Sequence, residues 1–193
     1  FGSRPVWIAA STHEGEEEIV LAAQQALLKT RPDALLVLVP RHPQRFAGVH
    51  DLVVQQGMSI VSRTDGGACD ASTQVYLGDT MGELTLFYAA SDVAFVAGSL
   101  VPVGGHNLLE PAALGLPLLS GPYVFNAQEI ADMFVAKGAC RLVQDSEELA
   151  AAVDGLLSDA DTASTLGNAG REILERNRGS LARLMAMIEP LMD

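Results

Sequence analysis

The chain has 193 residues, 49% of them hydrophobic and 19% charged. That is enough apolar material for one domain with a full core and too much for a wholly disordered chain. The 24 acids outnumber the 12 bases, for a net charge of -12. Lys and Arg are nowhere clustered, so no nucleic-acid partner is expected, and the acids read as a solvated surface. No apolar run approaches the ~20 residues that span a bilayer. Cys69 and Cys140 lie far apart and outside any CxxC pattern. They read as two reduced thiols, and no metal site is expected.

The start, Phe1-Gly2-Ser3-Arg4-Pro5, runs straight into a strand-like stretch with no signal-peptide pattern and no initiator Met. The expectation is a fragment or processed product. The apolar run 6–10 predicts a buried strand, and 16–29 a helix with Ile19, Val20, Ala23, Ala26 and Leu27 at helical spacing and acids in its first turn. A second strand, 35–39, is closed by Pro40. Residues 44–56 read as a helix, 59–62 as a strand, 63–73 as a loop around Gly66-Gly67, and 75–77 as a short strand. A helix over 81–90 and a strand over 93–96 follow. Then come a helix over 107–114 stopped by Gly115, a strand over 117–119, a helix over 127–136 and a strand over 140–143. Helices over 146–157, 159–176 and 180–192 complete the chain, the last with an apolar stripe of Leu181, Leu184, Met185, Ile188 and Met192.

Strands without polar alternation are buried on both faces, as parallel strands are. Their alternation with helices predicts an α/β fold: a Rossmann-like, doubly wound parallel sheet with helices on both faces, forming a single domain over 1–193. Ligands of such sheets gather at the C-terminal ends of the strands, near the switch in strand order.

The loops at those ends carry the candidate chemistry. Ser11-Thr12-His13-Glu14-Gly15 enters a helix. Ser11 or Thr12 fits a plain helix cap as well as an anion contact, whereas His13 is not needed for capping. Pro40-Arg41-His42-Pro43 holds a guanidinium between two prolines, suited to a phosphate or carboxylate. The alternative is a surface Arg paired with a nearby acid. In Gly78-Asp79-Thr80-Met81-Gly82-Glu83 the glycines allow close approach of a ligand, while Asp79 and Glu83 read as capping and first-turn acids. The most specific string runs from Gly98-Ser99 through Gly104-Gly105-His106-Asn107-Leu108-Leu109-Glu110-Pro111. Its glycine pair is expected to leave N–H groups and a positive helix end facing the site. Glu110, about one turn into the helix, can accept hydrogen bonds from a ribose diol or can be a solvated acid.

In order and spacing, these four strings, with Gly121-Pro122 and Asn126, resemble the C-terminal domain of 3-deoxy-D-manno-octulosonic acid (Kdo) transferases over nearly the whole chain. Leu108 is a mild departure, where proline is common. The resemblance implies the C-terminal half of a GT-B glycosyltransferase that moves Kdo from CMP-Kdo to a lipid A precursor at the cytoplasmic face of the inner membrane. It implies that the acceptor surface, catalytic base and membrane contact belong to an N-terminal domain absent here, so no catalytic residue is expected in this chain. It also implies that the donor, CMP-Kdo or CMP, is bound by Ser11, Thr12, His13, Pro40, Arg41, His42, Gly78, Thr80, Met81, Gly82, Gly104, Gly105, His106, Asn107, Glu110 and Asn126, with no cofactor or metal. A UDP-sugar transferase or a UDP-GlcNAc 2-epimerase, which share the fold and the ribose-binding acid, is the alternative. A receiver-like module fits poorly, because the first strand ends in Ser-Thr-His and not in an acidic pocket.

Overall fold

The computed structural model describes residues 1–177, and the helix predicted over 180–192 lies outside them. The elements in chain order are β1 (Val6–Thr12), α1 (Glu16–Leu27), β2 (Leu35–Pro40), a 3-10 turn (Pro43–Arg45) running into α2 (Phe46–Gln55), β3 (Ile60–Ser62) and β4 (Val75–Leu77). There follow α3 (Leu84–Ala89), β5 (Val93–Val96), α4 (Leu109–Ala113), β6 (Leu118–Ser120), a 3-10 turn (Phe125–Ala127) leading into α5 (Gln128–Ala136), β7 (Cys140–Leu142), α6 (Ser146–Ser158) and α7 (Ala160–Asn177). All seven strands lie in one sheet of order β3-β4-β2-β1-β5-β6-β7, and every neighbouring pair is parallel.

Period-2 alternation sends successive residues of one strand to opposite faces. Trp7, Ala9, Leu36, Leu38 and Phe95 enter one core with Val20 and Leu21 of α1, Val49 and Val53 of α2, and Leu149 and Val153 of α6. Ile8, Ala10, Val37, Val39 and Val96 enter the other with Phe87 and Tyr88 of α3, Ala112 of α4, Phe134 of α5 and Ile173 of α7. Because both faces are covered, every residue of β1, β2, β4, β5 and β6 is buried. The doubly wound architecture expected from the sequence is the one observed.

The differences lie at element ends. β1 continues two residues past the predicted strand, α3 begins three residues later than predicted, and α4 is two residues shorter at its start. Each of these places is a loop at the C-terminal edge of the sheet, where side-chain hydrogen bonds compete with helical ones.

A polar contact sits inside the first core. Trp7 Nε1 donates to Gln24 Oε1 at 2.7 Å, and Gln24 Nε2 donates to the carbonyls of Ala34 and Gln74 at 3.1 and 3.0 Å. Both residues are fully buried. Replacing Gln24 with Leu leaves the buried Trp7 N–H without its partner and removes one donor from each of the Ala34 and Gln74 carbonyls, which keep contacts to Arg4 and Leu36, at a cost of about 1–3 kcal/mol. Urea unfolding should show that loss, with Gln25→Ala, on a partly exposed position, staying within about 0.5 kcal/mol of the parent.

Candidate functional site

The chain leaves β1 toward β2 on one side and returns with β5 on the other. The crevice between the loops after β1 and β5 is therefore the topological switch point. At the end of β1 the ladder bulges: Ser11 takes φ 65°, and the register shifts so that Thr12, not Ser11, faces Pro40. Ser11 and Thr12 thus continue the strand. Of the two readings open for them, a helix cap for α1 is not the one observed. The cap position is Gly15 at φ 84°, with no side-chain cap. The Thr12 hydroxyl donates to Glu17 Oε1 at 2.8 Å, and the buried Glu17 forms a two-point ion pair with Arg45.

Glu16 does more than oppose the helix dipole. Its fully buried carboxylate crosses to the loop after β5. It accepts the N–H groups of Gly98, Ser99 and Leu100 at 2.6, 3.0 and 2.9 Å, and that of His13 at 3.3 Å. Burial raises its pKa, and these bonds oppose the rise. The anion-binding amides of this loop are filled by the protein's own side chain. The N–H groups of Gly104 and Gly105 are also engaged, both donating to the Gly98 carbonyl at 3.1 and 2.8 Å. The expected arrangement, with these two amides facing a ligand, is not the one observed. Gly104 instead lies under Asn126: a Cβ there would stand 2.5 Å from Asn126 Cγ. Asn126 braces the loop, donating from its side chain to the Val103 carbonyl at 3.1 Å and from its backbone to that of Gly104 at 3.0 Å.

What the two loops do bring together is histidine. The rings of His13 and His106 stack at 5.0 Å with their Nε2 atoms 2.8 Å apart, and His42 meets His13 edge-on at 5.2 Å. Gly98, at φ 69°, makes this possible: a Cβ on it would lie 2.8 Å from His106 Cδ2 and 3.4 Å from His13 Cδ2. Burial first, then the neighbouring His13, Arg41 and His42, lower the pKa of His106 from 6.5 to about 4. Burial, His42, Arg45 and Arg41 lower that of His13. Arg41 is exposed, its backbone N–H donates to the Thr12 carbonyl at 3.0 Å, and its guanidinium pairs with no acid among the described residues. The arrangement is a crevice of three imidazoles and a guanidinium in which burial and neighbouring cations disfavour the charged forms of His13 and His106.

The remaining predicted residues line the same edge. Thr80, Met81 and Gly82 lie in a turn before α3 and not in the helix. Asp79 accepts from the N–H and hydroxyl of Thr64, and Glu83 pairs with Arg63 and accepts from Thr80. Neither acid caps α3, so that reading is corrected. Gly78 has a packing role, since a Cβ would lie 2.8 Å from Phe87 and 2.9 Å from Val39. Asn107 accepts the Leu109 N–H at 3.0 Å and donates to the exposed Glu110 at 3.1 Å, bracing the turn that leads into α4.

Sequence reasoning missed Glu16, Glu17 and Arg45. A signal existed: Glu16 is in phase with Val20, Ala23 and Leu27, and Glu17 with Leu21 and Gln24, so both acids fall on the buried face of α1. A depression of about 700 Å³ at the opposite ends of the strands, lined by Arg4, Asp92, Pro117 and Leu157 among others, holds none of the predicted residues. Among the described residues no group of three or more metal-ligating side chains is placed to hold an ion.

Residues 67–173 match the model of the family described as glycosyl transferases group 1. The crystal structure of the C-terminal CMP-Kdo binding domain of WaaA from Acinetobacter baumannii is 38% identical, superposes with a TM-score of 0.86 and covers 90% of either chain. A 3-deoxy-D-manno-octulosonic acid transferase of Haemophilus influenzae is 47% identical over 98% of this chain, which spans 45% of that protein's length. A putative UDP-N-acetylglucosamine 2-epimerase from Listeria monocytogenes, 15% identical with a TM-score of 0.60 over 93% of this chain and 46% of that one, shares the fold alone. Fold and switch-point site together define a C-terminal Rossmann-like half of a GT-B glycosyltransferase of group 1. Within that group, the chain belongs to the 3-deoxy-D-manno-octulosonic acid (Kdo) transferase family.

The His106 shift has a stability consequence. A group whose pKa is lower folded than unfolded binds fewer protons when folded, so its contribution is present above the unfolded value and is lost as pH falls toward the folded one. For His106 that window runs from 6.5 down to about 4. Urea unfolding of His106→Asn across this window should give a flatter acid limb than the parent. Identical limbs would show that the ring is not held neutral by its burial.

Proposed function

We propose that this chain is the donor-binding domain of a Kdo transferase and takes CMP-Kdo in the crevice between the loops after β1 and β5. The observation that carries this reading is the convergence of His13, His42, His106 and Arg41, which pairs with no acid among the described residues, at the ends of β1, β2 and β5. CMP-Kdo bears two anions, a phosphodiester and the sugar's carboxylate, and a crevice of imidazoles and a guanidinium suits both. Glu110, exposed at the start of α4 and held by Asn107, is the proposed acceptor for the ribose hydroxyls. Pro40 ends β2 and sets the direction of Arg41, while Gly78, Thr80, Met81 and Gly82 form the next loop along the edge. Ser11, Thr12, Gly104, Gly105 and Asn126 act in this reading through the backbone they shape.

In the transfer, an acceptor hydroxyl forms a new bond to the anomeric carbon of Kdo. The bond from that carbon to the phosphate oxygen breaks, CMP leaves with the electron pair, and the hydroxyl proton passes to a base. The base must stand within hydrogen-bond reach of that hydroxyl. Four acids beside this crevice are engaged elsewhere: Glu16 on amides, Glu17 on Arg45, Asp79 on Thr64 and Glu83 on Arg63. That supports placing the base on a further part of the polypeptide, to which this reading also assigns the lipid A precursor and the membrane contact at the cytoplasmic face of the inner membrane. The chain's span of about half its curated relatives is consistent with such a part. No helix of the described residues is long and apolar enough to cross a membrane.

Titration with CMP, followed by NMR, should shift resonances of residues 12–13, 41–42 and 98–110, with UDP competing poorly. Shifts confined to the depression around Asp92 and Pro117 would sink the assignment, and preferential UDP binding would favour the UDP-sugar alternative. Arg41→Ala should weaken CMP binding about tenfold, the loss of roughly one charged hydrogen bond. Glu110→Ala should weaken it by a similar factor while leaving the urea midpoint unchanged, and unaltered affinity would return Glu110 to a solvated acid.

A further inference from the structure

We propose that Glu16 is the positioning residue of this crevice: one buried carboxylate sets both halves of the His13–His106 imidazole pair. The proposal rests on the donor-site reading only for its consequence in binding. Its geometric part stands alone.

Each oxygen of the carboxylate takes two N–H groups. Oε1 accepts from Ser99 and Leu100, and Oε2 from Gly98 and His13. Oε2 therefore bridges the backbone that carries the His13 ring and the glycine against which the His106 ring rests. Gly98 is held from its other side as well, since its carbonyl receives the N–H groups of Gly104 and Gly105, immediately before His106. A shift of the β5 loop by a fraction of an ångström would break the 2.8 Å contact between the two Nε2 atoms. A carboxylate is acceptor-only and has lone pairs for all four donors. Glutamine has the same shape but only one oxygen, so its amide group must confront two of the four N–H groups. The pair Glu16 sets is also faced by Arg41, His42 and Arg45. Among the described residues Glu16 is the buried carboxylate that joins the two loops, since Glu17, the adjacent buried acid, is turned to Arg45 and Thr12.

The test compares the parent chain with Glu16→Gln by imidazole NMR and by CMP titration. The expected result is a folded variant in which His13 and His106 titrate closer to the ordinary histidine range, because the two rings have parted and are better solvated. CMP affinity should fall at least tenfold, and His106→Asn, which should weaken binding in the parent, should add nothing further in the Glu16→Gln background. Unchanged histidine titrations in a folded Glu16→Gln would overturn the proposal, whatever happens to CMP. So would an additive double variant in a chain that binds CMP. A parent chain that does not bind CMP defeats the donor reading, while the histidine titrations still decide the role of Glu16. If Glu16→Gln does not fold, hydrogen exchange of the parent decides instead. The amides of His13, Gly98, Ser99 and Leu100 must then exchange through one common opening, and unrelated rates would overturn the proposal.

Discussion

A carboxylate buried between α1 and the end of β5 is the constraint on which the functional edge depends. Taking a lone charge out of water is costly, and a carboxyl so placed would normally keep its proton. Glu16 meets four backbone N–H groups there, drawn from two loops that are more than eighty residues apart in sequence. The bonds offset the burial, and in return the helix start, the bulged end of β1 and the glycine-rich loop become one body. Thr12, Glu17 and Arg45 extend that body toward the turn before α2. The crevice at the switch point is thus preorganised by interactions that a ligand need not supply.

The parallel sheet was legible because burial on both faces leaves a plain mark: apolar runs such as 35–39 and 93–96 with no polar alternation. The candidate edge was legible for a different reason, since strand ends in this fold collect ligands and the strings after β1, β2, β4 and β5 are rich in Gly, His and Pro. What could not be read was which donor meets which acceptor. Ser11 looks like a cap, yet a bulge keeps it in the strand. Gly104-Gly105 looks like an open anion loop, yet its amides close on Gly98 and the neighbouring amides on Glu16. A sequence shows that a nest of N–H groups can form. It does not show that an acid eighty residues earlier already occupies it.

Charge acts locally here and against the overall balance. The chain carries a net -12, which does not favour an anionic ligand at long range. Screening limits such fields to roughly 8–10 Å at physiological salt, so the composition of the crevice decides. Three of its acids are engaged in place: Glu17 by Arg45, Glu83 by Arg63, and Glu16 by amides. Arg41 remains with no acid against it among the described residues, between two prolines that fix its backbone. An acidic protein can in this way present a basic crevice without an excess of basic residues.

The use of paired imidazoles, rather than a second arginine, then has a physical rationale. Burial and the neighbouring cations lower the pKa of both rings, which disfavours adding charge beside Arg41 and Arg45. With Nε2 facing Nε2 at 2.8 Å, one ring must donate and the other accept. The pair can take one further proton, on an outward nitrogen, and keep the bond between the rings. A second added proton would put N–H against N–H and break it. One added charge is therefore the most this pair can hold intact, and an anion is what would stabilise that charge. A fixed guanidinium and an inducible imidazolium together would match two single negative charges in one crevice. The pairing also explains the bare backbone at Gly98: the inducible partner exists only while both rings rest on it, and any side chain there would separate them.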